Sequence, residues 1–129
     1  MNYKILRIKN FGFNLSNYHK NDPLKNYQDS LLDIESKKFI YCDGFSREMN
    51  KLGNLCFEII SKNEDLQKKW AKENECQYGH DWHDDILIEQ IKTIRPDILY
   101  FEDSIPFNKN INFDIKHFFP FVKKIIVRN

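Results

Sequence analysis

The stretch DWHDDILIEQIKTIRPDILYFED, residues 81–103, decides how the rest of the chain is read. Trp82, Ile86, Leu87, Gln90, Ile91 and Ile94 recur at the spacing of one helix face, and Arg95-Pro96 stops that helix. Ile98-Leu99-Tyr100-Phe101 follows at once and ends in Glu102-Asp103. A helix delivered through a proline into an apolar run without alternation is half of a βαβ unit. The run predicts a parallel strand covered on both faces. Acidic residues at its carboxyl end then gain meaning, because ligands of open α/β sheets bind in the crevice outside the strands' carboxyl ends.

Working outward, Ile5-Leu6-Arg7-Ile8 reads as a first strand broken by Asn10-Phe11-Gly12. Asp22-Pro23 predicts a capped helix start, with Leu24, Tyr27, Leu31 and Ile34 at helical spacing after it. A second helix runs from an Asp43 cap through Phe45, Met49 and Leu52 to a stop at Gly53. Leu55 to Ile60 is the second strand. Ser61 or Asn63 caps a third helix that places Leu66 and Trp70 together, with Gln67 beside them offering an amide above the strand ends. Ile105 to Asn108 predicts a loop over the carboxyl edge, Phe113 to Phe119 a short aromatic-rich helix, and Lys124 to Val127 a fourth strand. The alternation is that of a doubly wound, mainly parallel sheet of about four strands with helices on both faces. One domain spanning residues 1–129 accounts for the length. The fourth strand, met without a covering helix, suggests the front part of something longer.

Composition narrows the function classes. With 20 basic and 19 acidic residues the net charge is +1, so no broad basic field favours nucleic acid. Cys42, Cys56 and Cys76 are odd in number and irregular in spacing, which fits a reducing cytoplasm better than a disulfide framework. No apolar run approaches the roughly 20 residues of a membrane span.

Several constellations invite chemistry. Cys76, His80 and His83 share one loop and helix start and are zinc-ligand types, but no second cluster supplies a fourth ligand, so no metal is expected. The loop after the first strand holds one glycine and no G-x-G-x-x-G, which argues against a dinucleotide cofactor, and none is expected. Ser46 lacks the G-x-S-x-G elbow of a hydrolase. Lys9-Asn10 stands where a phosphoacceptor receiver domain needs an acidic pair. Glu102-Asp103 has two readings: a general base or ligand carboxylate, since the position aims both acids into the crevice above the sheet, or one acid capping the following turn with the other solvated.

Taken together, Asp43-Gly44-Phe45-Ser46-Arg47, Leu52-Gly53, Glu58-Ile59-Ile60, Asn63, Leu66-Gln67, Trp70-Ala71, Glu73, Asp81-Trp82 and Arg95-Pro96-Asp97-Ile98-Leu99-Tyr100 with Asp103 form an ordered pattern. It resembles the N-terminal domain of bacterial glycosyltransferases of the GT-B type, which read roughly D-S-F-S-R-x-L-x-x-L-G, E-x-I-x-x-N-x-x-x-L-Q-x-x-W-A-x-E, D-W and R-P-D-V-L-Y-x-Q-D. The likeness covers about residues 27–128, with Gly44 where the group usually shows Ser and Glu102 where Gln is common. The resemblance implies a Rossmann-like three-layer α/β/α half of a two-domain enzyme, whose other half holds the nucleotide-sugar donor. This half supplies the surface for a glycan or other hydroxyl acceptor in polysaccharide synthesis, without an obligatory metal. On matching positions it implies Asn63, Gln67 and Asp103 lining the cleft, Asp43 and Ser46 at its rim, Glu102 beside them, and Asp103 as catalytic base or acceptor-hydroxyl ligand. Alone, the chain is expected to be inactive because half the cleft is missing. The alternative is a non-enzymatic interaction module that forms a homodimer through its edge strand; a small metal enzyme built on Cys76, His80 and His83 is a third reading.

Overall fold

The computed structural model describes residues 2–9, 24–36, 44–102, 106–107 and 115–128. Within them the order is β1 (Lys4–Lys9), α1 (Tyr27–Ser36), α2 (Gly44–Lys51), β2 (Leu55–Ile60), α3 (Glu64–Glu73), α4 (Trp82–Ile94), β3 (Ile98–Glu102), α5 (Ile115–Phe118) and β4 (Lys124–Arg128). The four strands form one sheet in the order β2-β1-β3-β4, and every neighbouring pair is parallel. The chain is therefore an α/β fold of the Rossmann-like kind expected from its alternation.

The strand order explains the placement of the helices. From β1 the chain steps one way to β2, then returns past β1 to β3 and β4. Right-handed crossovers in opposite directions send the connecting helices to opposite faces. Side-chain parity agrees. Leu6 and Ile8 of β1, with Leu99 and Phe101 of β3, pack against Leu87 and Ile91 of α4 and Phe107, Ile115, Phe119 and Val122. Arg7, pointing to the other side, meets Phe45 of α2, its guanidinium 5.0 Å from the ring centre. A second cluster of Tyr27, Leu31, Ile60 and Leu66, with Trp70 against it, forms where α1 and α3 meet the end of β2.

β1 and β3 are the interior strands, which is why β1 is buried from Ile5 to Lys9 and β3 reads as a continuous apolar run. β4 is an edge strand, and Ile126 and Val127 are 36% and 40% exposed. The amino ends of the strands are tied by Asp97. Its carboxylate accepts the Lys4 N–H at 2.8 Å, its own N–H donates to the Lys4 carbonyl, and its carbonyl accepts the Lys123 N–H. The α4 stop falls where Arg95-Pro96 predicts it: Arg95 caps the helix in the left-handed region at φ 52° and donates to the Ile91 carbonyl, and its guanidinium lies 4.5 Å from the Phe121 ring centre. Gly53, at φ 91°, turns the chain out of α2 as its sequence position suggests.

Some expectations shift in detail. The first helix begins at Tyr27, and Leu24 lies before it, 93% exposed. Phe107, expected in a loop over the carboxyl edge, is buried against Phe101 and Phe119 and belongs to the core. Among the described residues the short aromatic helix spans Ile115–Phe118. The Asp22-Pro23 helix start lies outside the described residues. No helix among the described residues is long and apolar enough to cross a membrane.

Candidate functional site

The strand order reverses between β1 and β3, which makes the carboxyl ends of these two strands, at Lys9 and Glu102, the switch point of the sheet. Beneath it lies a buried network of four charges. Arg7 of β1 bridges both neighbouring strands: one guanidinium nitrogen stands 3.0 Å from Glu58 Oε1 of β2, and another stands 2.5 Å from Glu102 Oε2 of β3. Lys9 Nζ approaches the same Glu58 oxygen at 3.3 Å. The hydroxyl of Ser46 on α2 donates to Glu58 Oε2 at 2.7 Å. The Arg7 guanidinium lies against the rings of Phe45 and Tyr100, whose centres are 5.0 and 5.7 Å away.

Local structure produces this convergence. Arg7 and Lys9 are two residues apart on one strand and so share a face. The register sets Arg7 opposite Glu58 and Tyr100. Glu102 is two residues beyond Tyr100 on that same face. α2 crosses above and contributes Phe45 and Ser46. Among the described residues two cations meet two anions here, so each buried charge has an opposite one beside it. Arg128 adds an outer partner to Glu102 at 3.7 Å, where the network reaches the surface. The result is a stiff clamp across β1, β2 and β3 that fixes the carboxyl ends of the strands. Ser61 extends it, its N–H and hydroxyl both donating to the Lys9 carbonyl.

Of the residues singled out in the sequence, Ser46 and Glu102 are brought together in this network through Glu58 and Arg7. Asn63 is the N-cap of α3, its side-chain oxygen accepting the Leu66 N–H at 3.1 Å. Gln67 is fully buried and forms a reciprocal amide pair with Gln90 of α4, at 2.7 and 3.1 Å. That pair engages the amide expected to face a ligand and locks α3 to α4 instead. Asp43 and Asp103 lie outside the described residues. Arg7, Lys9, Glu58 and Tyr100 carry the network and are not among the candidates read from the sequence. Their signal is present there as charged residues at alternate positions of otherwise apolar strands.

Among the described residues no group of three or more His, Cys, Asp and Glu side chains is placed to hold a metal ion, so Cys76, His80 and His83 do not form a centre. Burial, reinforced by Glu89 and Asp85, raises the Cys76 thiol pKa above its ordinary value, which disfavours the thiolate that metal binding or nucleophilic attack requires.

No family model matches the chain, and neither a curated protein nor a solved structure matches it.

Proposed function

We propose that this chain is the acceptor-side domain of a cytoplasmic GT-B-type glycosyltransferase, which moves a sugar from a nucleotide-sugar donor to an acceptor hydroxyl in glycan synthesis. One observation carries the reading. Pieces of the glycosyltransferase-like pattern that are far apart in sequence, namely Phe45-Ser46, Glu58 and Tyr100, gather around Arg7 near the switch point of the sheet. A pattern whose separated parts meet in space at the ligand edge of the sheet serves one common purpose. In this reading the network holds the strand ends rigid, and Asp103, next in sequence after Glu102, serves as base or acceptor-hydroxyl ligand. The donor belongs to a second domain, and transfer needs both.

Two measurements test the reading. Saturation-transfer NMR on the 129-residue chain should detect simple glycosides and no nucleotide sugar. Binding of nucleotide sugars, or of neither class, overturns it. In an enzyme carrying both halves, Asp103→Asn should lower turnover by about 100-fold or more, the usual contribution of a general base. Unchanged turnover removes that role.

The exposed apolar side chains of edge strand β4 favour a second reading, a non-enzymatic module that pairs with a second copy along that edge. Light scattering separates the two: a dimer that binds no glycoside supports this second reading.

A further inference from the structure

The two edges of the sheet are in different states. At β2 the Cys56 N–H is taken by the side chain of Asn50 on α2, at 3.1 Å, which closes part of that edge. β4 ends the sheet on the other side, paired among the described residues with β3 alone. The Lys124 N–H donates to the Asp97 carbonyl. Alternate residues of a strand turn their main-chain groups to opposite sides, so Lys124, Ile126 and Arg128 face β3, and Ile125 and Val127 present N–H and C=O groups outward.

The side chains divide between the two faces of the sheet. Ile125 packs against the core cluster that includes Leu87 and Ile91 of α4. Lys124, Ile126 and Arg128 therefore share the opposite face. Lys124 and Arg128 are exposed and Ile126 is 36% exposed, so along this face the edge reads cation, apolar, cation. Glu102 stands 3.7 Å from Arg128, but it is shared with Arg7. Lys123, just before the strand, stands 3.6 Å from Asp97.

This pattern discriminates between occupants. A second copy aligned antiparallel on Ile126 sets Lys124 opposite Arg128 twice over, and a parallel copy in register sets each cation opposite itself. Like charges directly opposite destabilise a strand pair, whereas opposite charges stabilise it. Lysine on an edge strand is a known guard against self-pairing.

We propose that the outer edge of β4 receives an extended segment of a different protein, one that carries acidic side chains on either side of an apolar residue at alternate positions. Its main chain pairs with the outward groups of Ile125 and Val127, its acids face Lys124 and Arg128, and its central apolar side chain covers Ile126. The inference does not depend on the acceptor-side reading, and it differs from the second reading above in the partner.

The test uses the whole chain and two capped peptides, Glu-Val-Ile-Val-Glu and Lys-Val-Ile-Val-Lys, followed by ¹⁵N NMR. The acidic peptide should bind and slow hydrogen exchange at the N–H groups of Ile125 and Val127. The basic peptide should bind about tenfold more weakly or worse, since two favourable cross-strand pairs become two unfavourable ones. Lys124→Glu should narrow that gap severalfold. Val127→Pro removes one outward N–H while leaving the bonds to β3 intact, and it should abolish binding of the acidic peptide. Equal binding of the two peptides, no binding of either, or protection that spares Ile125 and Val127 overturns the proposal. So does a dimer in light scattering whose Ile125 and Val127 N–H groups are protected without peptide, because the edge then belongs to a second copy. The comparison of peptides on the wild-type chain does not depend on either variant folding.

Discussion

Arg7→Met is the most informative single change, because it removes the cation that bridges two buried carboxylates while nearly keeping the volume of the side chain. Glu58 retains Lys9 and Ser46 as partners. Among the described residues Glu102 retains the half-exposed Arg128, at 3.7 Å. Breaking a buried ion network by deleting one partner costs about 3–5 kcal/mol, and loss of the two ring contacts adds about 0.5–1 kcal/mol each. A total near ~5 kcal/mol follows. A domain of 129 residues has an unfolding entropy that converts each kcal/mol into about 4 °C, so the melting temperature should fall by roughly 15–20 °C. Calorimetry or urea denaturation followed by circular dichroism measures it. The charge argument makes a sharper claim about the double variant Arg7→Met/Glu102→Gln. Removing one cation and one anion leaves the balanced Lys9–Glu58 pair, so the double variant should recover at least half of the loss. A fall of less than about 4 °C in Arg7→Met would mean that the guanidinium is not the buried bridge described. A double variant as unstable as the sum of its singles would refute the claim that uncompensated charge is what costs.

The Gln67–Gln90 pair should behave in the same asymmetric way without charge. Gln67→Leu alone strands the Gln90 amide in the core and should cost about 1–3 kcal/mol, whereas Gln67→Leu/Gln90→Leu should lie within about 1 kcal/mol of wild type in urea titrations; equal losses would show that the amides do not pair. For Asp97, the Lys4 N–H donating to its carboxylate lowers the pKa below its ordinary value, against the opposing pull of desolvation, and nearby Lys123 adds to the lowering. A depressed folded-state pKa contributes stability that is present above the unfolded value of about 3.9 and is lost as pH falls through the folded value. The stability difference between wild type and Asp97→Asn should therefore shrink as pH drops below about 4. A difference that stays constant from neutral to acid pH would exclude the ionised carboxylate as its source.

Much of the architecture is legible in the sequence because its signals are local. The α4 face, the stop at Arg95-Pro96 and the unalternated β3 are set by side-chain spacing and by proline sterics, and they reappear as read. The cap at Asn63 is equally local. The strand order is not local, since nothing near Leu55 states that β2 will lie outside β1 rather than between β1 and β3. The charged network is hidden for a related reason. Ile5-Leu6-Arg7-Ile8-Lys9 carries Arg7 and Lys9 on one side, a pattern that on its own reads as a solvated face. α2, brought over it by the crossover, turns that face inward and makes Arg7 and Lys9 core residues. Gln67 shows the converse. Its position under the strand ends suggests a ligand, yet Gln90, 23 residues later, takes its amide. Residue type identifies that a group needs a partner; only the tertiary contact decides which partner it finds.

The network around Arg7 follows the same rule. Both of its carboxylates are engaged by cations, and a ligand that claimed one would have to displace a buried ion partner at about 3–5 kcal/mol. Such a cluster is suited to holding three strand ends in fixed relation, and poorly suited to binding and releasing anything.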